Sequence, residues 1–265
     1  MSFRVANIPT EPVQVPQVVA DLAGDRVLTA VWTNELGGVT WHAEELHIKW
    51  NPHTTGIDLT EEIARLHWLR RHVPEVPCPQ WVEHGADAEG QWLVTVTIPA
   101  RTAVAAQGDE VPAVVDAIAV GLRTLHDSGA VDECPFEWST DARRLGALGR
   151  LERGDVDPQR LHPQHHQLSL ADMAAQLNEL HTGGAVVCHG DACAPNTLIS
   201  EEGGFAALVD LGALGVGQPW ADIAVAAWSL DWNFGPGWVD RFLDAYGTER
   251  DGDLLAWHQL LWDLG

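Results

Sequence analysis

The chain has 265 residues, 46% of them hydrophobic and 20% charged, a globular balance able to bury a core in one large domain or two lobes. Thirty-eight acidic residues against 15 basic ones give a formal charge of −23, which argues against nucleic acid or an anionic membrane as partner and favours cationic ligands. No apolar run approaches the roughly 20 residues needed to span a bilayer. The segment Met1–Thr10 lacks the basic flank and apolar stretch of a secretory signal, so a cytoplasmic monomer or weak dimer is expected. The four cysteines contain no CxxC pair and read as free thiols of a reducing compartment.

The first hundred residues read mainly as strands with one helix. Strand-like runs cover 26–33 and 45–50, with Gly37 and Gly38 as a turn signal between them. Thr60, Glu61 and Glu62 precede Ile63, Leu66 and Leu69, an acidic first turn ahead of an apolar stripe, and Pro74, Pro77 and Pro79 end that helix. Two further strands are predicted at 81–83 and 91–97. After Pro99 the texture changes: helical spacing dominates 112–125, 168–180 and 253–261, with short strands only at 185–188, 197–199 and 206–211. A β-rich part, 1–98, followed by a helical part, 99–265, implies two unlike lobes, with a ligand cleft expected at their junction.

The densest polar constellation is His189-Gly190-Asp191-Ala192-Cys193-Ala194-Pro195-Asn196, set between two apolar strands. Fourteen residues past Asn196, Asp210 closes the run Ala206-Ala-Leu-Val-Asp210 and is followed by Gly212. Singly, Asp191 and Asn196 read better as caps or Asx-turn residues. Together, two carboxylates and an amide oxygen at strand ends beside glycines suit a site for Mg²⁺ and phosphates, because Mg²⁺ takes a few hard oxygen ligands plus phosphate and water.

HGDACAPN, then LVDLGALG, then Asp222-Ile-Ala-Val-Ala226 resemble the signature of the aminoglycoside phosphotransferase family, and the likeness runs from about Leu28 to the last residue. The resemblance implies an α+β, protein-kinase-like bilobal fold and an ATP- or GTP-dependent, Mg²⁺-dependent kinase. It further implies that Asp191 accepts or orients the proton of the substrate hydroxyl, that Asn196 and Asp210 hold Mg²⁺, and that Asp222 is a structural helix residue. Lys49, in the strand-like run Leu46-His-Ile-Lys-Trp50, and Glu62, on the following helix, match the lysine that contacts the phosphates and the glutamate that holds it. Lys49 is the only lysine; the other 14 basic residues are arginine. Gly37 and Gly38 take the place of the phosphate-covering loop without GxGxxG. Val94–Ile98 would form the hinge, with main-chain groups of Thr97 and Ile98 facing the adenine.

The substrate that the resemblance implies is a polycationic aminoglycoside. Asp155, Asp157, Asp263 and the terminal carboxylate of Gly265 match carboxylates that receive its ammonium or guanidinium groups, although a solvated acidic face explains each equally well. Kanamycin-type 3'-phosphotransferases end in an acidic pair followed by aromatic residues, whereas this chain ends Trp262-Asp263-Leu264-Gly265. Four local segments, at 134–137, 156–158, 187–191 and 209–212, look closer to streptomycin 3''-phosphotransferases, so that hydroxyl is the expected target, with 3' transfer to kanamycin or neomycin as the alternative. A metabolite kinase of the same fold and a non-catalytic nucleotide-binding module are the remaining readings. His162, His165 and His166 read as a polar loop, and the 13 tryptophans as packing residues.

Overall fold

In the computed structural model the described residues are 8–181 and 183–265, so the first seven residues of the segment examined for a secretory signal lie outside them. The chain divides into two compact units, Met1–Leu69 with Cys78–Pro99 and Arg70–Pro77 with Ala100–Gly265. Relative to a division after residue 98, residues 70–77 are grouped with the second unit.

The first unit is built on a five-stranded antiparallel sheet in the order β1-β2-β3-β5-β4. Its strands are β1 (Leu28–Thr33), β2 (Val39–Ala43), β3 (Leu46–Pro52), β4 (Trp81–Ala86) and β5 (Gly90–Val96). Alternation decides which face is covered: Val39, Trp41 and Ala43 of β2 are buried, as are Ile48 of β3 and Val94 of β5, and Trp41 pairs with Ile48, which pairs with Val94. A short helix α1 (Gln17–Ala23) adds Val19 and Ala23 to this cluster. Each fully buried aliphatic side chain there contributes about 1.5–3 kcal/mol. Helix α2 (Leu59–His72) opens with Glu61 and Glu62 in its first turn, where the helix dipole favours negative charge. It buries Leu59, Ile63, Leu66 and Leu69, and the Leu59 amide donates to Gln91 Oε1 at 3.2 Å.

The second unit is mainly helical. Helix α3 (Val111–His126) buries Val111, Val114, Val115, Ile118, Leu122 and Leu125, the i, i+3, i+4, i+7 stripe of a helix packed on one side. The later helix α6 (Pro219–Phe234) is buried without a break from Ala221 to Leu230, which makes it the central helix of this unit. A short strand β6 (Arg101–Thr102) precedes α3, and between α3 and α6 lie α4 (Thr140–Arg153), α5 (Leu170–Asn178) and four short strands: β7 (Val186–Cys188), β8 (Thr197–Ile199), β9 (Phe205–Leu208) and β10 (Gly215–Gly217). β7 pairs with β10, and β8 lies between β6 and β9. Helices α7 (Val239–Tyr246) and α8 (Gly252–Asp263) complete the chain. Phe242 and Leu243 of α7 join α3 and α6 in one core cluster, while α8 packs Trp257, Leu260 and Leu261 with Ala147, Leu151, Met173 and Leu177 of α4 and α5. Among the described residues no helix is long and apolar enough to cross a membrane.

Candidate active site

In the first unit, Lys49 stands on the middle strand, opposite Thr40 on one side and Leu93 on the other. Its Nζ reaches Glu62 Oε2 at 2.7 Å, and Glu62 is only 6% exposed although it sits in the first turn of a helix. Burying an ion pair costs desolvation that its attraction only partly offsets, so a pair kept at this position fixes the direction of the lysine more than it stabilises the fold. The expected partnership of Lys49 with Glu62 is therefore present as a contact.

The Gly37–Gly38 turn joins β1 to β2. Gly37 has φ 96°, a conformation that glycine adopts without penalty. A Cβ on Gly38 would collide with Asn51 Oδ1 and Asn34 Nδ2, so this position requires glycine for space. In the hinge segment, the Thr97 amide donates to Glu45 O at 2.8 Å and Thr97 Oγ1 lies 3.0 Å from His47 Nδ1. That N–H, one of the hinge main-chain groups expected to face the adenine, is thus bonded to the turn between β2 and β3. Ile98 follows in irregular backbone, partly buried.

The second unit holds the HGDACAPN segment as the loop between β7 and β8. Four anchors shape it. Both oxygens of the buried Asp222 accept backbone amides, Oδ2 from His189 at 2.6 Å and Oδ1 from Gly190 at 2.9 Å, and Oδ2 also lies 3.0 Å from His126 Nε2. Burial opposes the Asp222 charge, but His126, the charge of His189 and the Gly190 amide outweigh it and hold the carboxyl below its ordinary range. His126 is braced in turn by Tyr246, Nδ1 to Oη at 2.7 Å. Further along, Ala194 N donates to Ser229 Oγ at 2.9 Å, and Thr102 Oγ1 donates to Pro195 O at 3.0 Å. Finally, Gly190 has φ 86° and packs so closely on Ala213 that a Cβ would strike its carbonyl oxygen.

Within this frame Asp191 is partly buried. Asn196 Nδ2 donates both to its backbone oxygen, at 2.9 Å, and to Oδ2, at 3.1 Å. Oδ1 is buried with no hydrogen-bond partner among the described residues. Burial first, and the like charge of Asp210 second, push the Asp191 carboxyl above its ordinary range. Val209 N donates to Asn196 O at 2.9 Å and His189 Nε2 lies 3.0 Å from Val209 O, which ties the loop to the segment carrying Asp210. The strand read from sequence as ending on Asp210 stops at Leu208. Asp210 lies two residues beyond it, exposed, at φ 58°, a left-handed conformation that aspartate tolerates better than most residues. With the Asn196 nitrogen spent on Asp191, the amide oxygen is that side chain's remaining ligand atom. Asn196 and Asp210 each carry an oxygen of the hard kind that Mg²⁺ prefers, and could hold one near the Asp191 carboxylate.

The four carboxylates read as substrate receptors all have partners inside the protein. Asp155 pairs with Arg153 Nε at 2.6 Å, and Asp157 caps a turn by accepting from Gln159 N at 3.0 Å. Asp263 Oδ2 accepts from His162 N at 2.8 Å and lies 2.7 Å from His165 Nδ1, and Gly265 O accepts from Arg150 at 2.7 Å. Each contact named uses one oxygen of its carboxylate, so the other oxygen is left for an incoming ammonium group. The histidine loop is more than a polar connector: His165 is 5% exposed, and His162 Nε2 accepts from the Trp232 indole at 3.2 Å. Cys188 and Cys193 are free thiols. Sequence reasoning missed Ser229, His126 and Tyr246 as braces of the loop, and Asn34 and Asn51 at the turn. None of these sits in a motif, and only the folded chain brings them to their partners.

A strand lysine paired with a helix glutamate, and an Asp–Asn–Asp set on a helical unit, match the working parts of a protein-kinase-like phosphotransferase. A model of the phosphotransferase enzyme family matches residues 40–260. An aminoglycoside 3'-phosphotransferase of Streptomyces fradiae is 37% identical over 225 residues, covering 79% of this chain and 81% of that protein. A streptomycin 3''-kinase of Streptomyces griseus is 31% identical over 240 residues, covering 84% and 85%. Among solved structures, the aminoglycoside phosphotransferase APH(3'')-Id of Streptomyces rimosus ATCC10970, in complex with ADP and streptomycin, superposes with a TM-score of 0.74 over 93% of this chain and 95% of that one, at 24% identity. The chain belongs to the aminoglycoside phosphotransferase family: it is an enzyme with the protein-kinase-like bilobal α+β fold.

Proposed function

We propose that this enzyme transfers the γ-phosphoryl group of ATP or GTP to the 3'-hydroxyl of an aminoglycoside such as kanamycin or neomycin. The observation that carries the transfer chemistry is Asp191, whose Oδ2 is held by Asn196 while Oδ1 has no hydrogen-bond partner among the described residues, with the Cys193 thiol near the carboxyl. In this reading Oδ1 receives the substrate hydroxyl and orients it for in-line attack, taking its proton as the new O–P bond forms and the bond from the γ-phosphorus to the bridging oxygen of the leaving ADP or GDP breaks. Lys49, fixed by Glu62, directs the nucleotide phosphates. Asn196 and Asp210 would hold Mg²⁺, which when bound would supply positive charge against the negative charge that develops on the phosphates.

The choice of 3' over the streptomycin 3''-hydroxyl expected from the local segments follows the relative of higher identity, 37% against 31%. The streptomycin reading keeps the support of the second relative. Two substitutions test the assigned roles. Asp191→Ala is expected to lower kcat by at least about 10²-fold, the scale of one acid–base group, with nucleotide affinity largely unchanged. Asp210→Ala is expected to lose Mg²⁺-dependent nucleotide binding instead. Near-normal turnover by the first variant, or unchanged Mg²⁺–nucleotide affinity in the second, contradicts the corresponding role.

A further inference from the structure

Asn34 closes the β1–β2 turn on itself. Its amide donates to Gly38 O at 2.9 Å and its carbonyl accepts from Gly37 at 3.1 Å. Its side-chain Oδ1 accepts from Leu36 N at 3.1 Å and from Gly38 N at 2.7 Å. The amide groups of residues 34, 36, 37 and 38 are thereby bonded within the turn. A glycine-rich loop that cradles phosphates does so with open N–H groups. This turn spends those four on itself and acts by where it sits.

Its place is set from β3. Val39 pairs with Trp50, so the next pair along the ladder brings Gly38 opposite Asn51. The Asn51 side chain fills the space that a Cβ on Gly38 would need, and its Oδ1 accepts from Asn34 Nδ2 at 3.1 Å. Asn51 is 1% exposed, and it follows Lys49 by two residues, on the same side of the strand.

From this we infer that Asn34 and Asn51 are positioning residues for the nucleotide triphosphate: their side-chain hydrogen bond registers the covering turn against the strand that carries Lys49. The inference rests on the proposed kinase reading, in which this turn covers the phosphates. It predicts that loosening the clasp weakens binding through the phosphates alone and leaves the base and the acceptor substrate untouched.

The test compares Asn34→Asp and Asn34→Ser, with Lys49→Met alongside. The aspartate keeps the oxygen that closes the turn and removes the donor to Asn51, and the serine is its neutral counterpart, too short to reach Asn51. Both lie at a partly exposed position, so the buried Asn51 is left intact. Dissociation constants for Mg–ATP and for adenosine, and KM for the aminoglycoside, are measured for each folded variant. In both Asn34 variants Mg–ATP affinity is expected to fall about three- to tenfold, the range that one hydrogen bond gives, with adenosine and aminoglycoside values unchanged. Equal weakening of ATP and adenosine, or weakening by the aspartate alone through its charge, overturns the inference. Unchanged ATP affinity in both Asn34 variants while Lys49→Met loses it also overturns the clasp but leaves the kinase reading standing. Unchanged affinity in Lys49→Met as well overturns both.

Discussion

Asp222 illustrates how one residue outside the chemistry determines the chemistry. It is buried at 0% exposure, and its two oxygens receive His189 N, Gly190 N and the His126 ring. Removing it strands two buried amides and a histidine at once. Asp222→Ala is therefore expected to destabilise the protein by about 3–5 kcal/mol in urea unfolding, the cost of breaking a buried charged network. A loss below about 1 kcal/mol, the worth of an ordinary hydrogen bond, contradicts that role. At this scale much of the candidate site was legible in the sequence, because Asp191, Asn196 and Asp210 lie in contiguous motifs and Lys49 is the only lysine. The internal partners of the candidate acceptor carboxylates were not legible in the same way. Asp263 reads as an open acid near the end of the chain, yet His162 and His165, about a hundred residues earlier, occupy its oxygen. Such long-range partners leave no local trace.

Elements were legible where an apolar period is long and uninterrupted, as in α3, and were lost where it is short or diluted. β2 has five residues, hidden between a glycine turn and the Glu44-Glu45 turn that follows it. α4 was missed because only Thr140, Ala147 and Leu151 are buried and two glycines, Gly146 and Gly149, lower its helix propensity. It forms because Ser139 Oγ accepts from Ala142 N at 3.2 Å as its cap, and because its thin apolar face packs with α5 and α8. β10 has three residues and exists through its pairing with β7, a partner 29 positions earlier. α1 and α7, of seven and eight residues, are too short for periodicity to decide.

Across the whole molecule, two histidines make stability depend on pH. Burial pushes His47 down to about 4, with the charge of His42 adding to it. Burial likewise pushes His258 down to about 3, assisted by the charges of Arg143 and His181. A histidine that is neutral when folded and protonated when unfolded lends stability above about pH 6.5, its unfolded value, and that stability is lost as pH falls toward the folded value. Each contributes up to about 1.4 kcal/mol per pH unit in that window. The unfolding free energy is thus expected to decline from pH 6.5 downward, before most carboxylates titrate. His258→Leu, at a site where neither ring nitrogen has a partner among the described residues, should flatten the decline between pH 6 and 5. An unchanged slope in that variant contradicts the assignment.

The central claim is phosphoryl transfer from a nucleotide to an aminoglycoside hydroxyl with Asp191 at the reacting oxygen. Coupled ATP turnover with kanamycin, neomycin and streptomycin in parallel, with Mg²⁺ present and Asp191→Ala as the control, tests it most directly. The account predicts turnover on kanamycin and neomycin that disappears in the variant. Turnover on streptomycin alone would move the target to the 3''-hydroxyl, and silence on all three by the folded wild-type enzyme would contradict the claim.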